Sequence, residues 1–167
     1  MNGLINALAP AIRWGMPLGV IALVICLIKK YDRKKTAYWS LFFAYIGALI
    51  GETILSGHLY ASRSFQLIPF KALLFDLSPA RHTVLLQLLL NIVLFIPMGV
   101  FLYLGKRKLA TSVMIGLTVS LVIEIIEFIT KTGVFDIDDL IMNTLGTLIG
   151  FVAAKLFFSS IARKDKG

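Results

Sequence analysis

Residues 84–104 have the sequence VLLQLLLNIVLFIPMGVFLYL, a run of 21 residues that contains no charged side chain. A helix needs about 20 mostly apolar residues to cross the hydrocarbon core of a bilayer. Three other stretches have nearly the same length and character: 37–55, 109–130 and 140–158. The sequence therefore predicts an all-α polytopic membrane protein, with about five transmembrane helices in one bundle once the N-terminal stretch is included.

The N-terminal apolar stretch is less regular than the others. It ends at Ile28 and begins between Leu4 and Trp14, because Pro10 and Pro17 interrupt its apolar pattern. No small-residue cleavage pattern ends it, so we expect an uncleaved anchor and not a signal peptide.

The composition supports a membrane protein. Of 167 residues, 58% are hydrophobic and 16% are charged, and the mean hydropathy is +0.87. A soluble domain of this size could not bury so much apolar surface, which excludes a soluble globule, a disordered chain and a coiled coil. The sequence has no internal repeat and one cysteine, Cys26, so we expect a single domain over residues 1–167 without an internal disulfide.

The positive charges are distributed asymmetrically. Eleven of the 17 Lys and Arg residues lie in three segments that share one side of a five-span chain, five within 29–35, three within 106–108 and three within 163–166. The other side has four, Arg63, Lys71, Arg81 and Lys131. The positive-inside rule then predicts a multi-pass protein of the cell membrane with its N-terminus outside and its C-terminus in the cytoplasm. The net charge of +8 is explained by topology and by contact with anionic lipid, and we expect no nucleic-acid partner.

The largest connection between predicted spans, residues 56–83, lies on the outer side. Its part 64–77, SFQLIPFKALLFDL, is too apolar for a free loop and too short to span a bilayer. We therefore predict an external interfacial or re-entrant segment that lies against the bundle.

Polar side chains within the predicted spans are concentrated in the outer half of the bilayer. With a rise of about 1.5 Å per residue, Asn91 and Glu124 lie about 10 Å below the outer ends of their helices, and Glu52 and Glu127 about 6 Å. Asn143 lies about one turn into the last span. Ionisable groups in hydrocarbon are costly and are functional candidates by default.

Glu124 and Glu127 are three residues apart and share one helix face. Two carboxylates this close in a low dielectric cannot both be charged without help, so they share a proton or hold a cation. The alternative is structural: Glu127 pairs with Lys131, four residues on, and Glu124 caps a neighbour.

The connection after this helix contains three more carboxylates, Asp136, Asp138 and Asp139. The simplest interpretation is a solvated turn, or an N-cap of the last helix by Asp138 or Asp139. In the other interpretation these carboxylates join the two glutamates in one site. Oxygen-rich clusters suit Mg²⁺ or Ca²⁺, although the spacing matches no metal motif.

The second interpretation defines the candidate site. Its candidate catalytic residues are the five acids, as general acid and base: Glu124, Glu127, Asp136, Asp138 and Asp139. Its candidate substrate-binding residues are Asn91 and Asn143, with Arg81 as the partner of a phosphate group.

Three segments of the chain are typical of one family. They are QLIPF at 66–70, NIVLFIPMG at 91–99, and EIIE at 124–127 followed by FDIDDLIMNTLGTLIG at 135–150. Together they resemble the VanZ-like family. The resemblance implies that Pro69 and Phe70 also belong to the site, and it leads us to expect Gln where this chain has Glu127.

The resemblance also implies a multi-pass protein of the bacterial cell envelope. The family is associated with reduced susceptibility to teicoplanin, a lipoglycopeptide that binds peptidoglycan precursors outside the cell. One hypothesis is a site in the outer leaflet that binds, or as an enzyme modifies, an envelope lipid or a lipid-linked cell-wall precursor. The other is a non-enzymatic protein that shields precursors or scaffolds envelope proteins. A transporter is disfavoured, because there is no repeat and the polar residues avoid the midplane.

The predicted topology can be tested by labelling single cysteines in intact cells, in a Cys26→Ala background. We expect a membrane-impermeant thiol reagent to modify Arg63→Cys and to leave Arg107→Cys unmodified until the membrane is permeabilised. The reverse pattern would contradict the assignment of the two sides.

Overall fold

The computed structural model of the protein describes residues 2–55, 64–75 and 81–164. Arg63 and Lys166, which entered the charge count, lie outside these ranges. Almost all described residues are helical. In chain order the elements are α1 (Asn2–Ile28), α2 (Arg33–Ile50) with a π-helical extension (Gly51–Leu55), β1 (Phe65–Gln66), α3 (Lys71–Phe75), α4 (Arg81–Leu104), α5 (Leu109–Thr130), β2 (Phe135–Asp136) and α6 (Ile137–Lys164).

Four helical stretches of the described chain are long and apolar enough to cross a membrane, namely Arg33–Leu55, His82–Leu104, Leu109–Thr130 and Ile137–Ala162, and Ile12–Ile28 is a shorter apolar helix. Large apolar side chains such as Leu41, Met114 and Leu156 are more than half exposed. Water would penalise this surface, whereas lipid accommodates it. The prediction of an all-α polytopic membrane protein is confirmed.

The chain divides into two compact units. The first contains α1, α2 and the π-helical extension, with residues Thr130–Gly133. The second contains the other elements, over Ser62–Ile129 and Val134–Gly167.

In the first unit, α1 is helical without interruption through Pro10 and Pro17, where the sequence suggested an irregular half. Two residues after the helix ends, Lys30 caps it with a left-handed φ of 52°. The Lys30 N–H donates to the Leu27 carbonyl at 3.1 Å and the Tyr31 N–H to the Cys26 carbonyl at 3.0 Å. This cap motif favours glycine, and it satisfies carbonyls that the helix leaves free.

Helix α2 then begins behind an N-cap. The Asp32 side chain accepts a hydrogen bond from the Lys35 N–H at 2.9 Å. This bond is the largest influence on the pKa of Asp32 and holds it below its usual value.

The helices α1 and α2 pack closely at glycines, which have no side chain to keep the two backbones apart. A Cβ on Gly47 would lie 2.5 Å from the Trp14 carbonyl oxygen, and one on Gly15 2.7 Å from that of Ala44.

In the second unit, α4 and α6 pack backbone against backbone. A Cβ added to Gly146 would collide with the Ile92 carbonyl oxygen, and one added to Gly150 with that of Ile96. From the other side, Gly99 of α4 leaves no room for a Cβ against the Thr147 carbonyl oxygen. Small residues at such interfaces allow the close van der Waals contact that holds membrane helices together.

Helix α5 joins this pair through Gly116, which faces the Thr147 side chain. The interior of the unit contains Phe95 and the hydroxyl residues Ser112, Ser120 and Thr147, all at 0% exposure. Each hydroxyl residue has a hydrogen-bond partner: Ser112 donates to the Lys108 carbonyl at 3.0 Å, and Thr147 to the Asn143 carbonyl at 3.1 Å, while Ser120 accepts from Asn143.

The segment 64–75 is anchored to the turn between α5 and α6. The strands β1 and β2 pair in parallel, with Phe65 beside Phe135 and Gln66 beside Asp136. The Phe65 ring also packs on Phe128, with 4.4 Å between ring centroids. The prediction that 64–77 is not a free loop is confirmed for 64–75, and residues 76 and 77 lie outside the described ranges. The sequence did not predict the ladder, because two-residue strands have no recognisable period.

The close contact between α4 and α6 generates a prediction. We expect Gly150→Ala to destabilise the purified protein by roughly 1–3 kcal/mol, because the added methyl group must displace helix backbone. The melting temperature in detergent measures this. The exposed Ala153→Leu on the same helix is the control and should leave it unchanged. Equal melting temperatures for Gly150→Ala and the wild type would contradict the packing.

Candidate functional site

Asp136 organises the start of α6. Its carboxylate accepts a hydrogen bond from the Asp138 N–H at 2.8 Å, and α6 begins at Ile137. Asp136 is therefore the N-cap of the helix. The interpretation that Asp138 or Asp139 provides the cap is wrong, because both lie inside the first turn.

Glu124 holds the same turn from α5. Its side chain is only 2% exposed, and one carboxylate oxygen accepts a hydrogen bond from the Asp136 N–H at 2.8 Å. A buried carboxylate needs such a donor, because an unpaired charge in the apolar interior is very costly. This contact fixes the position of the turn relative to α5.

Asp138 connects the turn to the segment 64–75. It is 5% exposed, and its carboxylate accepts a hydrogen bond from the Phe70 N–H at 2.7 Å. Phe70 follows Pro69 in a turn closed by the Lys71 N–H and the Ile68 carbonyl at 3.3 Å. Proline in the second position and a positive φ, here 55°, in the third are typical of a type II turn. The turn thus presents a backbone donor to the acid.

Asp139 connects α6 to α4. Its carboxylate accepts a short hydrogen bond from the Asn91 side-chain amide, and both residues are half-buried. One turn deeper, Asn143 is 4% exposed and donates to the Ser120 hydroxyl at 2.9 Å. The side-chain oxygen of Asn143 is buried and has no hydrogen-bond partner among the described residues.

Three of these acids, Asp136, Asp138 and Asp139, line a cavity of about 620 Å³, which we call the acidic cavity. Three carboxylates, one cation and two amides supply its polar wall, namely Asp136, Asp138, Asp139, Lys71, Gln66 and Gln87; Ala72, Val84, Leu88 and Val134 complete the lining. All of them belong to the second unit.

Asp136 is the acid of this cavity that lies outside the membrane-spanning stretches. Its burial, the largest effect, raises its pKa above 3.8; the Asp138 N–H opposes the rise and the Asp138 carboxylate adds to it. The folded protein therefore holds this proton more tightly than the unfolded chain does. The resulting stabilisation is fully present below pH 3.8 and is lost as the pH rises through the folded pKa.

The structure brings most of the predicted site residues together. Asn91, Glu124, Asp138, Phe70 and Asn143 are linked as described above. Glu127 lies half-buried one turn after Glu124, Pro69 is exposed, and the Arg81 side chain lies outside the described part of the chain. Neither Glu124 nor Glu127 is among the described residues that line the acidic cavity.

Two residues of the cavity were not predicted. Gln87 lies one turn before Asn91 on α4, so its spacing was a usable signal. Lys71 was counted only for topology, and no sequence pattern indicated that it faces the aspartates. Among the described residues, no group of three or more His, Cys, Asp or Glu side chains has an arrangement that could hold a metal ion.

Comparison with known proteins identifies the family. The family model described as VanZ/LLP1 matches residues 42–158, which is more than half of the chain. The chain is also 34% identical over 106 residues to Protein VanZ of Enterococcus faecium, an alignment that covers 62% of this chain. The chain therefore spans 58% of the length of this relative. No solved structure matches the chain.

The matched region includes α4, α5, the acidic turn and the glycines of α6, which are the elements that build the site. The chain therefore belongs to the VanZ-like family of membrane proteins.

Proposed function

We propose that this protein lowers the susceptibility of the bacterial cell to teicoplanin-type lipoglycopeptides, and that its acidic cavity does so by binding the polar headgroup of an envelope lipid or a lipid-linked cell-wall precursor. The observation that carries the proposal is a cavity of about 620 Å³ whose wall combines three aspartates with Lys71, beside the ends of membrane-spanning helices.

The chemistry of the wall suits such a headgroup. The ammonium group of Lys71 can pair with a phosphate. The carboxylates of Asp136 and Asp139 can accept hydrogen bonds from sugar hydroxyl or amino groups, and the amides of Gln66 and Gln87 can both donate and accept. A volume of about 620 Å³ is within the range of small-ligand sites, roughly 300–1,000 Å³.

The charge distribution supports an outward-facing cavity. The cations at 106–108 follow α4 at its far end, whereas the acidic cavity contacts the first two turns of α4. If the basic turn faces the cytoplasm, the N-terminus is outside and the cavity opens toward the leaflet where lipid-linked precursors are exposed.

Binding without chemical conversion is the form of the proposal that the contacts favour. Glu124, Asp138 and Asp139 each accept a hydrogen bond from a protein group, so each has a structural role. Glu124 is a positioning residue in this scheme, because its carboxylate holds the Asp136 N–H and acts on the cavity through the turn.

The binding proposal is tested with Lys71→Gln and Asp139→Asn in a teicoplanin-susceptible host. We expect both to reduce protection, because loss of one charge-assisted contact weakens binding by about tenfold or more. The minimal inhibitory concentration is measured together with membrane abundance. The control is Lys29→Gln, which removes one positive charge, as Lys71→Gln does, from an exposed residue of the first unit. Full protection by both cavity variants at normal abundance would contradict the proposal.

The role of Glu124 is tested separately. Glu124→Gln keeps an oxygen that can accept from the Asp136 N–H, so we expect normal abundance and protection. Glu124→Leu leaves that N–H without an acceptor, at a cost of about 1–3 kcal/mol, so abundance should fall. If Glu124→Gln is abundant but gives no protection, the carboxylate itself is needed, which contradicts a purely positioning role and favours the enzymatic hypothesis.

A further inference from the structure

A second cavity lies at the other ends of the same helices. It has a volume of about 630 Å³, and we call it the basic cavity. Its cations are Lys106, Arg107 and Lys108 of the turn between α4 and α5, and Lys155 of α6; Tyr103 and Phe158 are among its aromatic residues. Leu88 lines the acidic cavity, and Tyr103 follows it on α4 by 15 residues. The two cavities are therefore about 22 Å apart along this helix.

The four cations have no acidic partner among the residues that the structure describes. Residues 92–123 and 140–164, which supply every described residue of the wall, contain no Asp or Glu. The structure shows no ion pair between any of the four and another described residue. Converging like charges create a positive potential, and that potential attracts an anion from outside the chain.

The position of Lys155 favours a binding site over a cluster of charges that only sets the topology. The positive-inside rule concerns charges in the loops that flank a span, and 106–108 satisfy it. Lys155 is instead within the span Ile137–Ala162, seven residues before its end, which corresponds to about 10 Å of helix. An ionisable residue at such depth is costly, and it marks a functional site by default.

The aromatic side of the cavity connects it to the lipid-facing surface. The rings of Tyr103 and Phe158 stack with 5.9 Å between centroids, and Tyr103 meets Phe151 edge-on at 5.4 Å. On the same stretch of α6, Leu156 and Phe157 are 66% and 60% exposed. The anion that fits here is therefore one that is attached to an apolar chain.

We propose that the basic cavity binds the phosphate group of an anionic phospholipid headgroup, with the acyl chains along the exposed face of α6. Both the ammonium groups of lysine and the guanidinium group of arginine form charge-assisted hydrogen bonds with phosphate. Anionic lipids also attract basic segments next to a membrane span. The site is independent of the function proposed for the acidic cavity.

The chain offers a matched control for this site. Lys106 caps the C-terminal end of α4 with a φ of 58°. Its N–H donates to the Tyr103 carbonyl at 2.8 Å, and the Arg107 N–H donates to the Leu102 carbonyl at 3.0 Å. Lys30 caps α1 with the same two bonds and a φ of 52°. Glycine suits both positions, so Lys→Gly removes one charge at either without straining the cap.

The test is native mass spectrometry of the purified protein titrated with phosphatidylglycerol, with phosphatidylcholine as the zwitterionic comparison. We expect Lys106→Gly/Lys155→Gln to weaken phosphatidylglycerol binding by about tenfold or more. Lys30→Gly/Lys34→Gln removes the same charge elsewhere and should change the affinity by less than about twofold. If Lys106→Gly/Lys155→Gln melts at a lower temperature than the control variant, the exposed Arg107→Gln is tested in its place. We expect this variant also to weaken phosphatidylglycerol binding.

Three results would overturn the proposal. An equal loss in the cavity and control variants would mean that binding follows net charge alone. Unchanged binding in the cavity variants would mean that the lipid binds elsewhere. Displacement by free glycerol phosphate at concentrations similar to those of the lipid would assign the site to a soluble phosphate compound.

Discussion

The close approach of α4 and α6 is the constraint on which the second unit depends. Gly146 and Gly150 leave room for the backbone of α4 at Ile92 and Ile96, and Gly99 does the same for α6. Membrane helices gain little from burying apolar surface, so contact at this distance is a main source of their association. It also places Asn91 beside Asp139, so the packing of the helices and the geometry of the acidic cavity have one origin.

The acids of this unit show how carboxylates are accommodated beside hydrocarbon. Glu124 and Asp138 accept hydrogen bonds from the backbone N–H groups of Asp136 and Phe70, which are donors that carry no charge of their own. These bonds connect α5, the turn, α6 and the segment 64–75. Lys71 is the one cation among the described residues of the cavity wall, so the cavity is suited to a ligand with both donor groups and an anionic group.

The two cavities have opposite chemistry at opposite ends of the same helices. Carboxylates and amides dominate the polar wall of the acidic cavity, whereas the described residues of the basic cavity include four cations and no acid. Such polarity fits a protein that contacts different headgroups in the two leaflets. The core between the two ends is largely apolar and packed through glycines, and its buried hydroxyl residues, Ser112, Ser120 and Thr147, each have a local hydrogen-bond partner.

The membrane-spanning helices could be predicted from the sequence, because runs such as the 21 uncharged residues at 84–104 are long and apolar enough to cross a bilayer. The sequence also indicated the acids and asparagines of the site, because polar groups in such helices are rare and costly. Three features became visible only in the folded protein: Asp136 is the N-cap, Asp138 accepts from the Phe70 N–H, and Lys71 lines the cavity. These contacts join residues up to 68 positions apart, and no local pattern specifies which donor meets which carboxylate until the helices have packed.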